Sequence, residues 1–125
     1  MNKYGASKVY QYEDGFCATS KQFRNHGKIV EKFDSEGEFN RYYELRLLEK
    51  AGAISDLKRQ VPFELIPRQK SKNGEIIPAV KYVADFTYLE DGQYIVEDFK
   101  GMKTDVYKLK KKMLMYRYGL EIRES

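Results

Sequence analysis

The chain has 125 residues, of which 42% are hydrophobic and 34% are charged, with a formal net charge of +4. This length supports one hydrophobic core but not two, and no apolar run approaches the roughly 18 residues that cross a bilayer. The single cysteine, Cys17, excludes an internal disulfide and a cysteine-based zinc site, and Ser-His-Asp or Cys-His catalysis would depend on one histidine, His26, without an evident partner.

The N-terminal half predicts short β-strands followed by one helix. The predicted strands are residues 9–12, 16–18 and 28–33. Ser35, with Glu38 three residues later, forms a capping box at the start of the helix, and Gly52 supplies its end. An apolar stripe that includes Tyr43 and Leu47 should face the core.

The second half predicts strands around a second helix. The predicted strands are residues 61–66, a hairpin over 79–100, and 120–123; the helix is 105–118. The helix residues expected to face the core are Val106, Leu109, Met113 and Tyr116. The order of elements indicates an α/β fold, with a central mixed sheet of four to five strands flanked by helices. We expect a single domain over 1–125, with 1–30 as a small N-terminal β extension and 33–125 as the core.

The hairpin carries the most informative polar residues of the chain. Asp91-Gly92 is the signal of a two-residue type I′ turn, which pairs Glu90 with Gln93 and therefore sets Asp85 opposite Asp98. Facing residues on antiparallel strands have Cβ atoms about 4.5–5.5 Å apart, and like charges at that separation repel. We therefore expect a cation between the two acids.

Two interpretations of this patch are possible. The two-residue period of a strand puts Lys100 on the face of Asp98, so Asp85, Asp98 and Lys100 converge. The carboxylates are hard oxygen ligands of the kind that Mg²⁺ binds, usually with one or two protein carboxylates and several waters. The alternative is a solvated, salt-bridged sheet face, because short motifs of this kind recur by chance.

Basic residues concentrate in the second helix. Between Lys103 and Arg117 the chain has six basic residues and one acid, Asp105. Such a stripe is typical of a protein that binds the phosphate backbone of a nucleic acid, although a solvated helix face is the alternative. The helix begins a few residues after Lys100, so its first turn should lie close to the acidic patch.

Several segments of the chain resemble those of the PD-(D/E)XK nucleases, and most of all a group of small bacteriophage-encoded endonucleases, some of them Holliday junction resolvase-like. These segments are residues 33–38, 49–52, 82–86, 96–101 and 103–110. The motif is named for a proline, and this chain has Ala84 at that position. Proline does not bind a metal ion, so the difference matters little to the chemistry. The resemblance covers roughly residue 33 to the C-terminus and implies a restriction-endonuclease-like fold.

The resemblance also implies an activity and a cofactor. We expect an endonuclease that uses Mg²⁺, with Mn²⁺ as a substitute, to hydrolyse DNA phosphodiester bonds, on branched DNA such as Holliday junctions, in phage recombination or DNA processing. A homodimer would serve two symmetric cuts. The protein should be soluble, phage- or prophage-encoded, and located in the cytoplasm of a bacterial host, because its polar N-terminus lacks a secretory signal. The alternative is a non-catalytic nucleic-acid-binding protein that keeps the nuclease fold.

The expected site residues fall into two groups. The metal ligands are Asp85, Asp98, the backbone carbonyl of Phe99 and Glu38, with Glu44 as a further candidate. Lys100 would orient the attacking water or stabilise the transition state. Glu38 has the alternative role of a capping residue, which needs no metal. The residues expected to contact DNA are Lys103, Tyr107, Lys108, Lys110, Lys111 and Gln60, of which Tyr107 could equally be a packing residue.

Overall fold

A computed structural model describes residues 7–100 and 103–125. The chain divides into two compact units, one up to Leu47 and the other from Leu48 to Ser125. The elements are β1 (Val9–Tyr12), β2 (Cys17–Ala18), a 3-10 turn (Arg24–His26), β3 (Ile29–Phe33), α1 (Glu36–Lys50), β4 (Ser55–Ile66), β5 (Gln69–Lys70), β6 (Ile76–Ile77), β7 (Val80–Glu90), β8 (Gln93–Asp98), α2 (Asp105–Tyr118) and β9 (Ile122–Glu124). Neither helix of the described ranges is long and apolar enough to span a membrane.

The first unit is built on a three-stranded antiparallel sheet in the order β2-β1-β3, which confirms the three strands predicted in this region. Phe33, at the end of β3, is fully buried and packs against the rings of Phe39 and Tyr42 on α1, with centroids 5.1 and 5.3 Å away. The Ser35 hydroxyl accepts a hydrogen bond of 3.0 Å from the Glu38 amide, so the predicted N-cap of α1 is confirmed.

The second unit contains a mixed four-stranded sheet in the order β4-β7-β8-β9. The β4–β7 and β7–β8 pairs are antiparallel, whereas β9 returns parallel to β8 after the crossover through α2. The predicted α/β class, with a mixed sheet of four strands and two helices, is confirmed. Residues 69–70 and 76–77, for which no strand was predicted, form a separate two-stranded ribbon.

Strand β4 begins at Ser55, six residues earlier than the predicted start at Val61. Two residues in this first half, Asp56 and Gln60, have left-handed backbones, with φ of 54° and 53°. Such residues interrupt the side-chain alternation by which a strand is recognised, so the sequence pattern does not show this part of the strand.

Helix α2 has the predicted bounds, but most of the residues predicted to face the core do not. Tyr107 and Leu114 are the buried residues of the helix and join Val96 and Ile122 of the sheet in the main core cluster. Of the predicted stripe, Met113 packs against this cluster, whereas Val106, Leu109 and Tyr116 are exposed by 63%, 59% and 93%. Apolar side chains occur all round this helix, so more than one stripe with helical spacing could have been assigned to the core.

Helix α1 shows the same kind of error. Leu47, which was assigned to the core stripe, is 67% exposed, and Tyr43 is 40% exposed. Leu45, which lies outside the predicted stripe, is fully buried instead. Propensity and caps fix where a helix begins and ends, but they do not decide which side is covered.

The β7–β8 hairpin has the predicted register. Glu90 pairs with Gln93, and the ladder continues without a shift to Phe86 and Glu97. Both turn residues have a left-handed backbone, with φ of 51° at Asp91 and 77° at Gly92, as a type I′ turn requires.

Replacing Gly92 with alanine should destabilise the protein by about 1 kcal/mol, because a Cβ disfavours the left-handed backbone of the turn. Open space surrounds the position where that Cβ would lie, so the cost is conformational rather than steric. Asp91→Asn is the control, since asparagine tolerates the left-handed region, and it should change the free energy of unfolding by less than about 0.5 kcal/mol. Urea unfolding curves measure both; equal stability of the two variants would contradict this account of the turn.

Candidate functional site

A row of polar side chains crosses the four-stranded sheet, with one residue from each strand. The row consists of Gln60 on β4, Asp85 on β7, Asp98 on β8 and Glu124 on β9. Gln60 Nε2 donates to Asp85 Oδ1 at 3.4 Å, and Asp98 is the register partner of Glu124 on the parallel strand. The sheet thus brings Asp85 and Asp98 together as the sequence predicts.

Asp85 and Asp98 are locked together by reciprocal hydrogen bonds. The Asp85 amide donates to Asp98 Oδ1 at 3.1 Å, and the Phe99 amide donates to Asp85 Oδ2 at 2.9 Å. Each carboxylate therefore accepts a bond from the backbone of the other strand, just beyond the last regular pair of the ladder. Hydrogen bonds to ionised acceptors are stronger than neutral ones, which helps to offset the repulsion between the two acids.

Lys100 supplies a cation beside Asp98, one of the two acids. Its Nζ lies 3.0 Å from Asp98 Oδ2, and the two side chains are 27% and 1% exposed, respectively. Asp98 Oδ2 is buried, and the Lys100 ammonium offsets its charge. Two adjacent carboxylates, one of them buried, are a donor set that suits a hard divalent cation.

The other side of Lys100 is covered by Tyr107 of α2. The Lys100 ammonium lies 4.6 Å from the centre of the Tyr107 ring, a cation–π contact. The Tyr107 hydroxyl donates to Glu124 Oε2 at 2.7 Å. Burial, together with this bond to a carboxylate, raises the pKa of Tyr107, so its hydroxyl stays protonated. Tyr107, which was expected to contact DNA, is instead only 7% exposed.

Glu124 is held by three donors. Besides Tyr107, the ammonium groups of Lys103 and Lys111 lie 3.1 and 3.4 Å from its two oxygens. The Tyr107 hydrogen bond, followed by those of the two lysines, lowers the pKa of Glu124 to about 2. Glu124 is therefore an anion at neutral pH, and it engages two of the lysines that were expected to contact DNA.

The backbone after Glu124 also contacts the acidic patch. The Ser125 amide donates to the carbonyl of Asp98 at 3.0 Å, and the Lys100 amide donates to the carbonyl of Ser125 at 3.3 Å. These bonds extend the parallel pairing of β8 and β9 past the last residue of β8. The segment from Asp98 to Lys100 is consequently held on one side by β7 and on the other by β9.

Sequence reasoning missed Tyr82 and Glu124. The Tyr82 side chain is buried, and burial followed by the charge of Asp98 raises the pKa of its hydroxyl. Because tyrosine has an aromatic ring, the sequence pattern groups Tyr82 with the apolar residues of its strand, and its hydroxyl group is overlooked. Leu120 and Ile122 follow the two-residue period of a strand, and continuing that period puts Glu124 on the same face. Pairing this strand parallel to β8 then brings Glu124 beside Asp98.

The sheet is irregular where Gln60 and Asp85 face each other. Gln60 has a φ of 53°, an uncommon conformation for a residue other than glycine. Tyr82 and Ala84 pack with Val96, yet the register sets Val96 opposite Thr87, so the alternation of faces changes between Ala84 and Thr87. Irregularities of this kind redirect side chains and are frequent next to functional sites.

Glu38, Glu44 and the Phe99 carbonyl are the remaining expected ligands. Glu38 is buried in the first turn of α1, and Glu44 accepts a hydrogen bond of 3.1 Å from Arg41 at an exposed position. Phe99 reaches the acids through its amide. In residues 7–100 and 103–125, no group of three or more His, Cys, Asp or Glu side chains is placed to hold a metal ion.

The basic residues of α2 line a groove of about 460 Å³. Its lining consists of Lys108, Lys111, Lys112, Met115, Leu120 and Glu121. Lys110 lies outside this lining and is half-buried. The groove combines positive charge with an apolar floor, and Lys111 links it to Glu124 and hence to the polar row.

One comparison with known proteins found a match. The model of a family described as "Protein of unknown function (DUF1064)" matches residues 19–124. No curated protein and no solved structure matches the chain.

The low pKa of Glu124 predicts how stability depends on pH. The folded protein holds this carboxyl ionised down to about pH 2, whereas its ordinary pKa is 4.5. The unfolded state therefore binds the proton first, so the stabilisation is present above about pH 4.5 and is lost as the pH falls toward 2. Urea unfolding of wild type and Glu124→Gln across pH 2–6 should converge at the acid end; a constant difference would contradict the assignment.

Proposed function

The chain belongs to the DUF1064 family, and we propose that it is a metal-dependent endodeoxyribonuclease of the PD-(D/E)XK type with a restriction-endonuclease-like fold. One observation carries the proposal: Asp85 and Asp98 share reciprocal backbone bonds while Lys100 lies 3.0 Å from Asp98. Two adjacent carboxylates repel each other in a sheet, and a bound metal ion would remove that cost.

Asp85 and Asp98 would hold the metal ion, Mg²⁺ with Mn²⁺ as a substitute, and the Phe99 carbonyl and Glu38 are proposed as further ligands. When bound, such an ion lowers the pKa of a coordinated water and polarises the scissile phosphate. The two aspartates have their oxygens fixed by the backbone before any ligand arrives, so little reorganisation is needed on binding.

Lys100 would act on the phosphate. The Lys100 side chain is 27% exposed, whereas the side chain of Asp98 is 1% exposed. Negative charge develops on the phosphoryl oxygens in the transition state, and a preoriented ammonium stabilises it more than water does. Gln60 fixes Asp85 by a hydrogen bond to the remaining oxygen of that carboxylate.

DNA would be held by the basic face of α2. Lys108, Lys111 and Lys112 line the groove, and Lys103 and Lys111 pair with Glu124 of the polar row. Branched DNA, as handled in phage recombination, is the proposed substrate, with a homodimer making paired cuts. The branched substrate and the homodimer are proposed from the resemblance to the resolvase-like endonucleases.

A non-catalytic nucleic-acid-binding protein is the second candidate. Two observations favour it: the Asp98 side chain is only 1% exposed with Lys100 against it, and the described residues contain no cluster of three potential ligands. The basic groove would serve such a protein equally well. A substitution that removes only the charge of Asp98 distinguishes a nuclease from a protein that binds DNA without cutting it.

Asp98→Asn should abolish cleavage while preserving DNA binding. Asparagine keeps the oxygen that accepts the Asp85 amide but cannot neutralise a metal ion, so the rate should fall on the order of 10²-fold or more. The assay incubates four-way junction, flap, single-stranded and duplex DNA with protein in Mg²⁺, Mn²⁺ or EDTA, and separates the products on denaturing gels.

Asp91→Asn is the matched control, because it makes the same chemical change at the exposed turn of the same hairpin. It should cut at the wild-type rate. If wild type cuts none of the four substrates with either metal while binding them as tightly as Asp98→Asn does, the nuclease proposal fails and the binding protein stands.

Replacing both Lys108 and Lys112 with glutamine should weaken DNA binding and make it less sensitive to salt. The logarithm of the DNA-binding constant falls linearly with the logarithm of the salt concentration, and the loss of two phosphate contacts should make this slope less steep by roughly 1.5. Fluorescence anisotropy in EDTA measures binding without cleavage. The charge-matched control is Lys70→Gln with Lys72→Gln on the β5–β6 ribbon; an equal loss in this control would show that only net charge matters.

A further inference from the structure

We propose that Tyr107 is a positioning residue, whose ring, anchored by Glu124, holds the Lys100 ammonium at the acidic patch. This inference rests on the proposed nuclease function for its role in catalysis. The contact itself stands on the structure: Lys100 Nζ lies 4.6 Å from the ring centre and 3.0 Å from Asp98 Oδ2.

A lysine side chain has four rotatable bonds, and an ammonium between an acid and solvent can leave its partner readily. The Asp98 oxygen restrains the Lys100 ammonium from one direction only. The face of an aromatic ring carries negative electrostatic potential and attracts a cation over it. Tyr107 therefore supplies a second attraction that restricts the ammonium without neutralising it.

Tyr107 is itself fixed at both ends. Its amide donates to Thr104 Oγ1 at 3.1 Å in the N-cap of α2, and its hydroxyl donates to Glu124 at 2.7 Å. The ring is also part of the main core cluster, with Val96 and Leu114. A side chain held in three ways has one orientation, and that orientation determines where the ammonium can rest.

Glu124 sets the position of the hydroxyl end. It pairs with Asp98 in the register of β8 and β9, and it is bound by Lys103 and Lys111. A chain of contacts thus runs from the basic face of α2 through Glu124 and Tyr107 to Lys100. The Tyr107 hydroxyl donates to Glu124, and the Glu124 oxygens also pair with Lys103 and Lys111, so both groups are already engaged within the protein.

Packing alone is the competing explanation of Tyr107. A buried residue in the core cluster can be needed for folding and nothing else. The two roles differ in which step they affect: positioning of Lys100 changes the chemical step, whereas loss of packing lowers the amount of folded protein or weakens all functions together.

The test compares Tyr107→Leu with Tyr107→Phe. Leucine removes the ring, and phenylalanine keeps the ring but loses the bond to Glu124. Tyr107→Leu should lower the single-turnover cleavage rate at saturating DNA on the order of tenfold, with the Kd for DNA unchanged within about threefold. Tyr107→Phe should recover most of the rate. Thermal melting establishes the folded fraction of each variant at the assay temperature.

Tyr116→Leu is the matched control, because this tyrosine of the same helix is 93% exposed. It should match wild type in rate and affinity. A Tyr107→Leu protein that is folded and as fast as wild type overturns the proposal, and so does one whose loss lies entirely in the Kd.

A second measurement does not depend on activity. Protons over the face of an aromatic ring are shielded, so the ε-methylene signal of Lys100 in a ¹H–¹³C spectrum should lie upfield and move downfield in Tyr107→Leu; the signal is assigned with Lys100→Arg. If wild type cuts no DNA but shows this shift, the nuclease proposal fails while the positioning contact stands. If the signal is the same in both proteins, the positioning proposal is overturned.

Discussion

The reciprocal hydrogen bonds between Asp85 and Asp98 are the constraint on which the candidate site depends. Two carboxylates on neighbouring strands would separate if nothing restrained them, yet here each one accepts a bond from the other strand's backbone. The strands stay together beyond the regular ladder because the acids themselves connect them. The Lys100 ammonium and the Gln60 amide then act on carboxylates whose positions are already fixed.

The sheet extends this arrangement sideways. On one edge, β4 contributes Gln60; on the other, β9 contributes Glu124, and the Ser125 backbone bonds to the residues on either side of Phe99. Helix α2 covers this region through Tyr107, so that the same helix both packs on the core and presents lysines outward. Binding groups and candidate catalytic groups are therefore joined through one element.

The features that could be predicted from the sequence are those determined by a few neighbouring residues. Asp91-Gly92 fixes its own turn geometry, and a two-residue turn leaves the strands one register, which puts Asp85 beside Asp98. Gly119 has a left-handed backbone and ends α2 at the predicted residue. In each case the conformation is decided within a few residues.

The features that could not be predicted depend on distant partners. Which side of α2 is buried depends on the sheet that covers it, and the apolar residues on several sides left that choice open. Tyr82 and Tyr107 count as apolar in a hydropathy pattern, although their hydroxyls lie near Asp98 and on Glu124. The first half of β4 contains two left-handed residues, Asp56 and Gln60, which interrupt the pattern by which a strand is recognised.

At Gln60, the left-handed backbone lowers the stability of the fold, while the side chain forms a hydrogen bond at the candidate site. Glycine would adopt the same φ without steric cost and would make the strand easier to form, but it would remove the amide that reaches Asp85. Higher fold stability and a hydrogen bond to Asp85 are therefore alternatives at this position. The chain has glutamine, which provides the hydrogen bond.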